Sequence, residues 1–159
     1  MYKTFPEEAQ IVSLMAPAAD AAGRASRAAS LKHAHKAYLV VYLNQGNAAT
    51  VALTPEQCTA VAGTGNKAIP AVPIWTDLDA AASSVLTRQA DAVSYTTDAA
   101  LKEKIVIFEI DPAKLDIANG YDCVRISTGA SNAANITSAF LVVPYGRFGG
   151  VTTPNALAD

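Results

Sequence analysis

The sequence predicts an all-β fold: a single-domain β-sandwich or jelly-roll-like barrel with short loops and at most one or two helical turns. Three observations predict it. Short segments rich in β-branched and aromatic side chains recur along the 159 residues. They are separated by Gly, Pro and Asn at roughly the intervals of a sandwich or barrel. The alanines, whose intrinsic preference is helical, fall in clusters at 16–22, 80–82 and 133–134. Each is too short, or too interrupted by Pro, Gly or Ser, to sustain a helix of about 12 residues.

Taken in chain order, weaker strands are expected at Gln10–Met15, Ala28–Lys32 and Thr50–Leu53. Between them, Lys36–Leu43 is the clearest strand. It is apolar on both sides of a period-2 alternation and stops at Asn44-Gln45-Gly46-Asn47, so it should sit centrally with both faces covered. Further weak strands are expected at Val72–Trp75, Val85–Arg88 and Val93–Thr96. Lys104–Ile110 is a strong one that ends at Asp111-Pro112. Asp111–Asp116 suits one helical turn, with Asp111 as cap and Pro112 at the first helical position. Asp122–Thr128 alternates cleanly, Val124 and Ile126 on one face, Arg125 and Ser127 on the other. Thr137–Val143 closes the series before Pro144. The expected domain spans 9–145. Residues 1–8 form an N-terminal segment or arm. The Gly- and Pro-bearing tail 146–159 reads either as a frayed terminus or as an arm that orders on a partner.

Charge and hydropathy exclude several function classes. Twelve basic and 14 acidic side chains leave a net charge of −2, with no basic stripe for a phosphate backbone, so no nucleic-acid partner is expected. No apolar run reaches the length of a membrane span, and the first residues lack the layout of a secretory signal.

Motif by motif, the chemistry is thin. Gly63-Thr64-Gly65-Asn66-Lys67-Ala68 has dinucleotide-loop spacing, but Pro70 and Pro73 follow and forbid the helix that would hold a pyrophosphate, so a turn is expected. His33 and His35 fall at i and i+2, on one side of a strand, a spacing able to chelate a metal. No third histidine exists, and two solvent-facing imidazoles are the simpler reading. Cys123 reads as a small buried hydrophobe. Cys58 could also bond to another chain. The two are neither a disulfide framework nor a zinc set. Asp77, Asp79, Asp111 and Asp116 lack calcium-loop spacing and read as turn caps. Asn135-Ile136-Thr137 is formally a glycosylation acceptor. Tyr38 and Tyr42 share a strand face and Trp75 follows a Pro-rich bend. These rings serve either sheet packing or stacking against a carbohydrate. No Gly-x-Ser-x-Gly elbow occurs. No catalytic, cofactor-binding or metal residue is assigned, and no enzyme is expected.

Four segments together carry a resemblance: 28–41, 59–70, Phe108-Glu109-Ile110-Asp111-Pro112-Ala113-Lys114-Leu115-Asp116, and Gly120-Tyr121-Asp122-Cys123-Val124-Arg125-Ile126. Their order resembles small all-β proteins of the head-structure modules of tailed bacteriophages, over residues 9–145. The resemblance implies a non-enzymatic decoration or cement protein. Its partner would be the major capsid protein, and it could be a homo-oligomer such as a trimer at local threefold positions. It would be made in the host cytoplasm and placed on the outer surface of the virion capsid, without a cofactor. A tail or receptor-binding appendage and a carbohydrate-binding β-sandwich module are the alternatives.

Overall fold

Residues 4–144 and 154–158 are described by a computed structural model of the chain. Two antiparallel sheets face each other across one apolar core. The first holds six strands in the order β1 (Ala9–Ala19), β12 (Asn135–Pro144), β4 (Ala37–Gln45), β10 (Glu103–Ile110), β7 (Val72–Asp77) and β8 (Thr87–Ala92). In the second, β11 (Cys123–Thr128) lies beside β5 (Ala52–Cys58). Its edges are built from two-residue pieces: β2 (Arg24–Ala25) and β3 (Ala29–Ser30) on β11, β6 (Lys67–Ala68) and β9 (Tyr95–Thr96) on β5. The arrangement is the expected sandwich, without barrel closure.

Alternation decides what each strand buries. Leu39, Val41 and Leu43 of β4 and Val106, Phe108 and Ile110 of β10 point inward, opposite Leu53 of β5 and Val124 and Ile126 of β11, in one continuous cluster. Every strong strand forms within a residue or two of its expected bounds. The helical turn forms as a 3-10 turn at Pro112–Lys114, where the Asp111 carboxylate accepts from the Ala113 N–H at 3.0 Å. The alanine clusters at 80–82 and 133–134 are turns, and Ala16–Ala19 extends β1.

The weak strand expected at Val85–Arg88 forms later in the chain, as β8 at Thr87–Ala92, with Val85 and Leu86 outside it. Four further departures have local causes. The expected strand 50–53 runs on through Pro55 to Cys58. Pro55 accepts from the Ile69 N–H and lies between the stretches paired to β9 and to β6. Its missing donor therefore falls where that edge has no ladder bond to lose. The pieces β2 and β6 were not expected, because two residues carry no periodicity. Residues Phe5–Glu8 form one helical turn, α1, with Pro6 in its first turn and the Thr4 N–H donating to the Glu7 carboxylate at 2.6 Å. The expected tail lies outside the described residues from 146 to 153. At 154–158 the chain is back on the body: the Ser30 N–H donates to the Ala156 carbonyl at 2.7 Å, and the Gln10 side chain to the Pro154 carbonyl at 3.1 Å.

Candidate functional site

The clearest strand of the sequence sits centrally, as expected, but among the described residues a second sheet covers only one of its faces. Tyr38, Val40 and Tyr42 of β4 point away from the core, and no element among the described residues packs over them as the second sheet packs over Leu39 and Val41. Residues whose alternation reads apolar on both sides thus form a half-open face instead of a doubly buried strand.

Register extends that face across the whole sheet. Phe140 of β12 pairs with Val40, Val40 with Ile107 of β10, Ile107 with Trp75 of β7, and Trp75 with Arg88 of β8. Because cross-strand partners share a face, these side chains make one transverse row, flanked by Tyr38 and Val142 on one side and Tyr42 and Ile105 on the other. Four apolar residues of this face remain well exposed: Ile11 at 55%, Ile136 at 41%, Phe140 at 39% and Tyr42 at 36%. Scattered exposed apolar residues are ordinary on a protein surface, whereas a contiguous apolar area rimmed by charge marks a contact surface.

The rim carries the charge. Lys36 pairs with Glu109, and its ammonium lies 5.3 Å from the Tyr38 ring centre. The Trp75 indole N–H donates to the Glu109 carboxylate at 3.2 Å, while the Arg88 guanidinium stands 5.7 Å from the indole centre. The hydrogen bond from Lys36, joined by that of Trp75, holds the Glu109 carboxyl below its ordinary range, and the same pairing raises Lys36. Tyr42 is raised through its side-chain hydrogen bond with Glu103 and through burial. Near this rim a shallow cleft of about 370 Å³ opens between Tyr38, Trp75, Leu86, Ile107 and Glu109. It offers two aromatic rings and one ionised carboxylate, which suits stacking and hydrogen bonding more than proton transfer.

The other residues singled out from the sequence fall into separate places. His33 and His35 do not share a strand face: Lys32 and His33 form a turn and His35 a bend, since β4 begins only at Ala37. His35 lines a groove of about 330 Å³ with Leu31, Pro112, Leu115 and Asp122. Among the described residues no group of three His, Cys, Asp or Glu side chains is placed to hold a metal. Gly63–Ala68 is turn leading into β6, with Gly63 and Gly65 at positive φ. Asp77 caps its own turn through the Asp79 N–H at 3.1 Å, and Asp116 pairs with Lys67 and accepts from Asn119. Asn135 is fully buried, its side chain bonded to the Ala49 carbonyl and the Ser131 hydroxyl, which leaves no amide for a glycan. Cys58 and Cys123, far apart in sequence, are cross-strand partners on β5 and β11. The outer face was visible in the sequence only as Tyr38 and Tyr42. Phe140, Ile107 and Trp75 join it through pairings that no local pattern announces.

No protein-family model matches the chain, and no curated protein matches it by sequence. Among solved structures, the chain is similar to the SPBc2 prophage-derived protein YomS at a TM-score of 0.48 and 12% identity, over 86% of this chain and 93% of that one. It is also similar to a candidate sugar-binding protein from Bacteroides thetaiotaomicron at a TM-score of 0.32 and 10% identity, over 77% of this chain and 66% of that one.

Proposed function

We propose that this protein is a non-enzymatic virion component that binds and stabilises an assembled bacteriophage capsid through the open face of its six-stranded sheet. The observation that carries the reading is the contiguous row Phe140–Val40–Ile107–Trp75, bordered by Ile11, Tyr42 and Ile136 and rimmed by Lys36, Glu109 and Arg88. Such a face supplies area without chemistry. On a shell of many identical major capsid subunits, modest contacts repeated over the lattice are multiplied by avidity. The resemblance of segments 28–41, 59–70, 108–116 and 120–126 to head-structure proteins supports the same partner, and with it a position on the outside of the shell after synthesis in the host cytoplasm. Three carboxylates with lowered pKa values are engaged in ion pairs: Glu109 with Lys36, Asp98 with Lys104, Asp116 with Lys67.

The deciding experiment is co-sedimentation with expanded heads lacking the protein, scored by stoichiometry per capsid subunit. Saturable binding at a fixed ratio is expected for the natural chain. Phe140→Glu, which places a charge in the middle of the face, should weaken binding at least tenfold while the thermal midpoint stays within a few degrees. Absence of binding to heads, with recovery on tails or glycans, overturns the reading.

One specific observation favours a second reading, a carbohydrate-binding module. The cleft between Tyr38 and Trp75 carries the ionised Glu109 carboxylate at its side, which are the stacking surface and acceptor that a sugar ring uses. Glycan-array binding abolished by Trp75→Ala would establish it, and silence on the array would end it.

A further inference from the structure

The side chains of Cys58 and Cys123 belong to neither the main core nor the open face. Residues 53, 55 and 57 of β5 and 124, 126 and 128 of β11 point inward, so alternation sends Cys58 and Cys123 to the outer side of the smaller sheet, together with Glu56 and Arg125. There they form a small satellite cluster with Ala28, partly covered by Val61, and both are fully buried. They are also direct partners in the antiparallel register, Cys123 opposite Cys58. Directly opposed residues of such a ladder have Cα atoms about 4.5–5.5 Å apart. That range lies inside the roughly 4.4–6.8 Å over which a disulfide closes without moving the backbone.

We propose that Cys58 and Cys123 are a built disulfide site, closed within one chain by exchange with a low-molecular-weight disulfide of the glutathione type. The Cys58 thiolate attacks one sulfur of oxidised glutathione, forming a mixed disulfide and releasing the first glutathione thiolate. The Cys123 thiolate then attacks the Cys58 sulfur, forms the protein S–S bond and releases the second. The two thiol protons end on the two departing glutathiones. The protein loses two electrons, and glutathione disulfide is reduced by two.

The surroundings govern when this happens. In the folded chain both thiols lie under the turn 59–66, whose residues are mostly solvent-exposed and which carries Val61 over the pair. Exchange therefore requires that turn to lift, without opening the main core. Burial also pushes the Cys58 thiol up, an effect only partly offset by Arg125, so little thiolate is present while the cover is closed. The site remains a dithiol in a reducing compartment and closes slowly in an oxidising one. The cross-link ties residues about 65 positions apart, so it constrains the unfolded chain strongly.

The test incubates the folded natural chain with oxidised glutathione, quenches with acid, alkylates under denaturing conditions and maps peptides by mass. A parallel sample is refolded in the same redox buffer, so that slow access to the folded pair is separated from incompatible geometry. The expected product is a monomer lighter by about 2 Da, with peptides joined through Cys58 and Cys123. Its thermal midpoint should rise by about 5–15 °C, reversibly with dithiothreitol. Val61→Ser should speed closure severalfold. Cys58→Ala/Cys123→Ala should fold and show no redox-dependent midpoint. Two alkylated thiols after both treatments, stable glutathione adducts on both cysteines, or a disulfide between chains would each overturn the proposal. None of these outcomes bears on capsid binding, which rests on the opposite sheet.

Discussion

Lys104 occupies an inward position of β10, between Leu43 and the end of the core, and is fully buried. An ammonium there is tolerable only because every direction around it ends in oxygen: Gln45 Oε1 at 2.7 Å, Asp98 Oδ1 at 2.6 Å, and the carbonyls of Asp98 and Ala100 at 3.1 and 2.8 Å. The cage binds the 97–102 loop to the sheet, and Gln45 continues it to the Thr97 hydroxyl. Lys104→Met should lower stability by about 2–3 kcal/mol in urea unfolding, because the Asp98 carboxylate loses its ion pair and the Gln45, Asp98 and Ala100 carbonyl oxygens each lose one of the donors they share. A second residue-scale prediction concerns acid. Glu109 is held below its ordinary value by Lys36 and Trp75, so its contribution is complete above the unfolded pKa and lost as pH falls through the lower folded one. Stability should therefore fall as the pH drops below about 5. Glu109→Gln should flatten that limb in denaturant midpoints measured across the range.

At the scale of elements, the long strand β1 turns the chain from one sheet to the other. Its register shifts twice, between Ser13 and Met15 and between Met15 and Ala18, and then reaches Asp20. Asp20 is fully buried and accepts from the hydroxyls of Thr128, at 2.8 Å, and Thr137 and from the Arg24 guanidinium at 3.0 Å. Arg24 in turn donates to the carbonyls of Ala16, Ala18 and Thr137. The first two are backbone acceptors that the bulged end of the edge strand β1 would otherwise leave to solvent. This carboxylate–guanidinium latch joins β1, β2, β11 and β12, and so both sheets. Between its two ends Gly23 adopts φ +74°, and a Cβ added there would stand 2.7 Å from the Thr128 carbonyl. Gly23→Ala should therefore cost about 2 kcal/mol, through strain at a left-handed position and displacement of β11. Chemical denaturation checks it. Ser26 plays a smaller part on the same edge: its backbone N–H donates to Ile126 and its hydroxyl accepts from the Ile126 N–H at 3.0 Å, bridging the gap between β2 and β3.

On the scale of the whole molecule, few neighbouring strands are consecutive in sequence. The pairs β1–β12, β4–β12, β4–β10 and β5–β11 all close long loops. Folding should accordingly be slow, in the millisecond-to-second range of sandwiches. The two ends of the chain add to the closure. Ala156 is buried against the main core, the Ser30 N–H donates to its carbonyl, and Gln10 of β1 reaches Pro154. Removing residues 154–159 should lower the thermal midpoint by about 2–6 °C by exposing Ala156's seat and freeing a β3 donor. An unchanged midpoint would show that the docked end contributes nothing to the fold.

The alternation of Lys36–Leu43, Lys104–Ile110 and Asp122–Thr128, together with Asp111-Pro112, sufficed to place the main strands and the helical turn, because those signals depend on residues within a few positions of one another. Turn chemistry at 44–47 and 63–66 was legible for the same reason. What alternation cannot convey is which of two apolar faces receives a cover. Tyr38, Val40 and Tyr42 are as apolar as a buried face requires, yet the second sheet lies on the other side of β4. The row from Phe140 to Trp75, the cage around Lys104 and the opposition of Cys58 to Cys123 likewise exist only because strands distant in sequence pair in one register. The sequence alone determined the class of fold and the strands that compose it, since backbone periodicity and turns are local. The tertiary structure alone decided the exposed face, the buried charges and the paired thiols, since burial and register are properties of partners brought together by the closing of long loops.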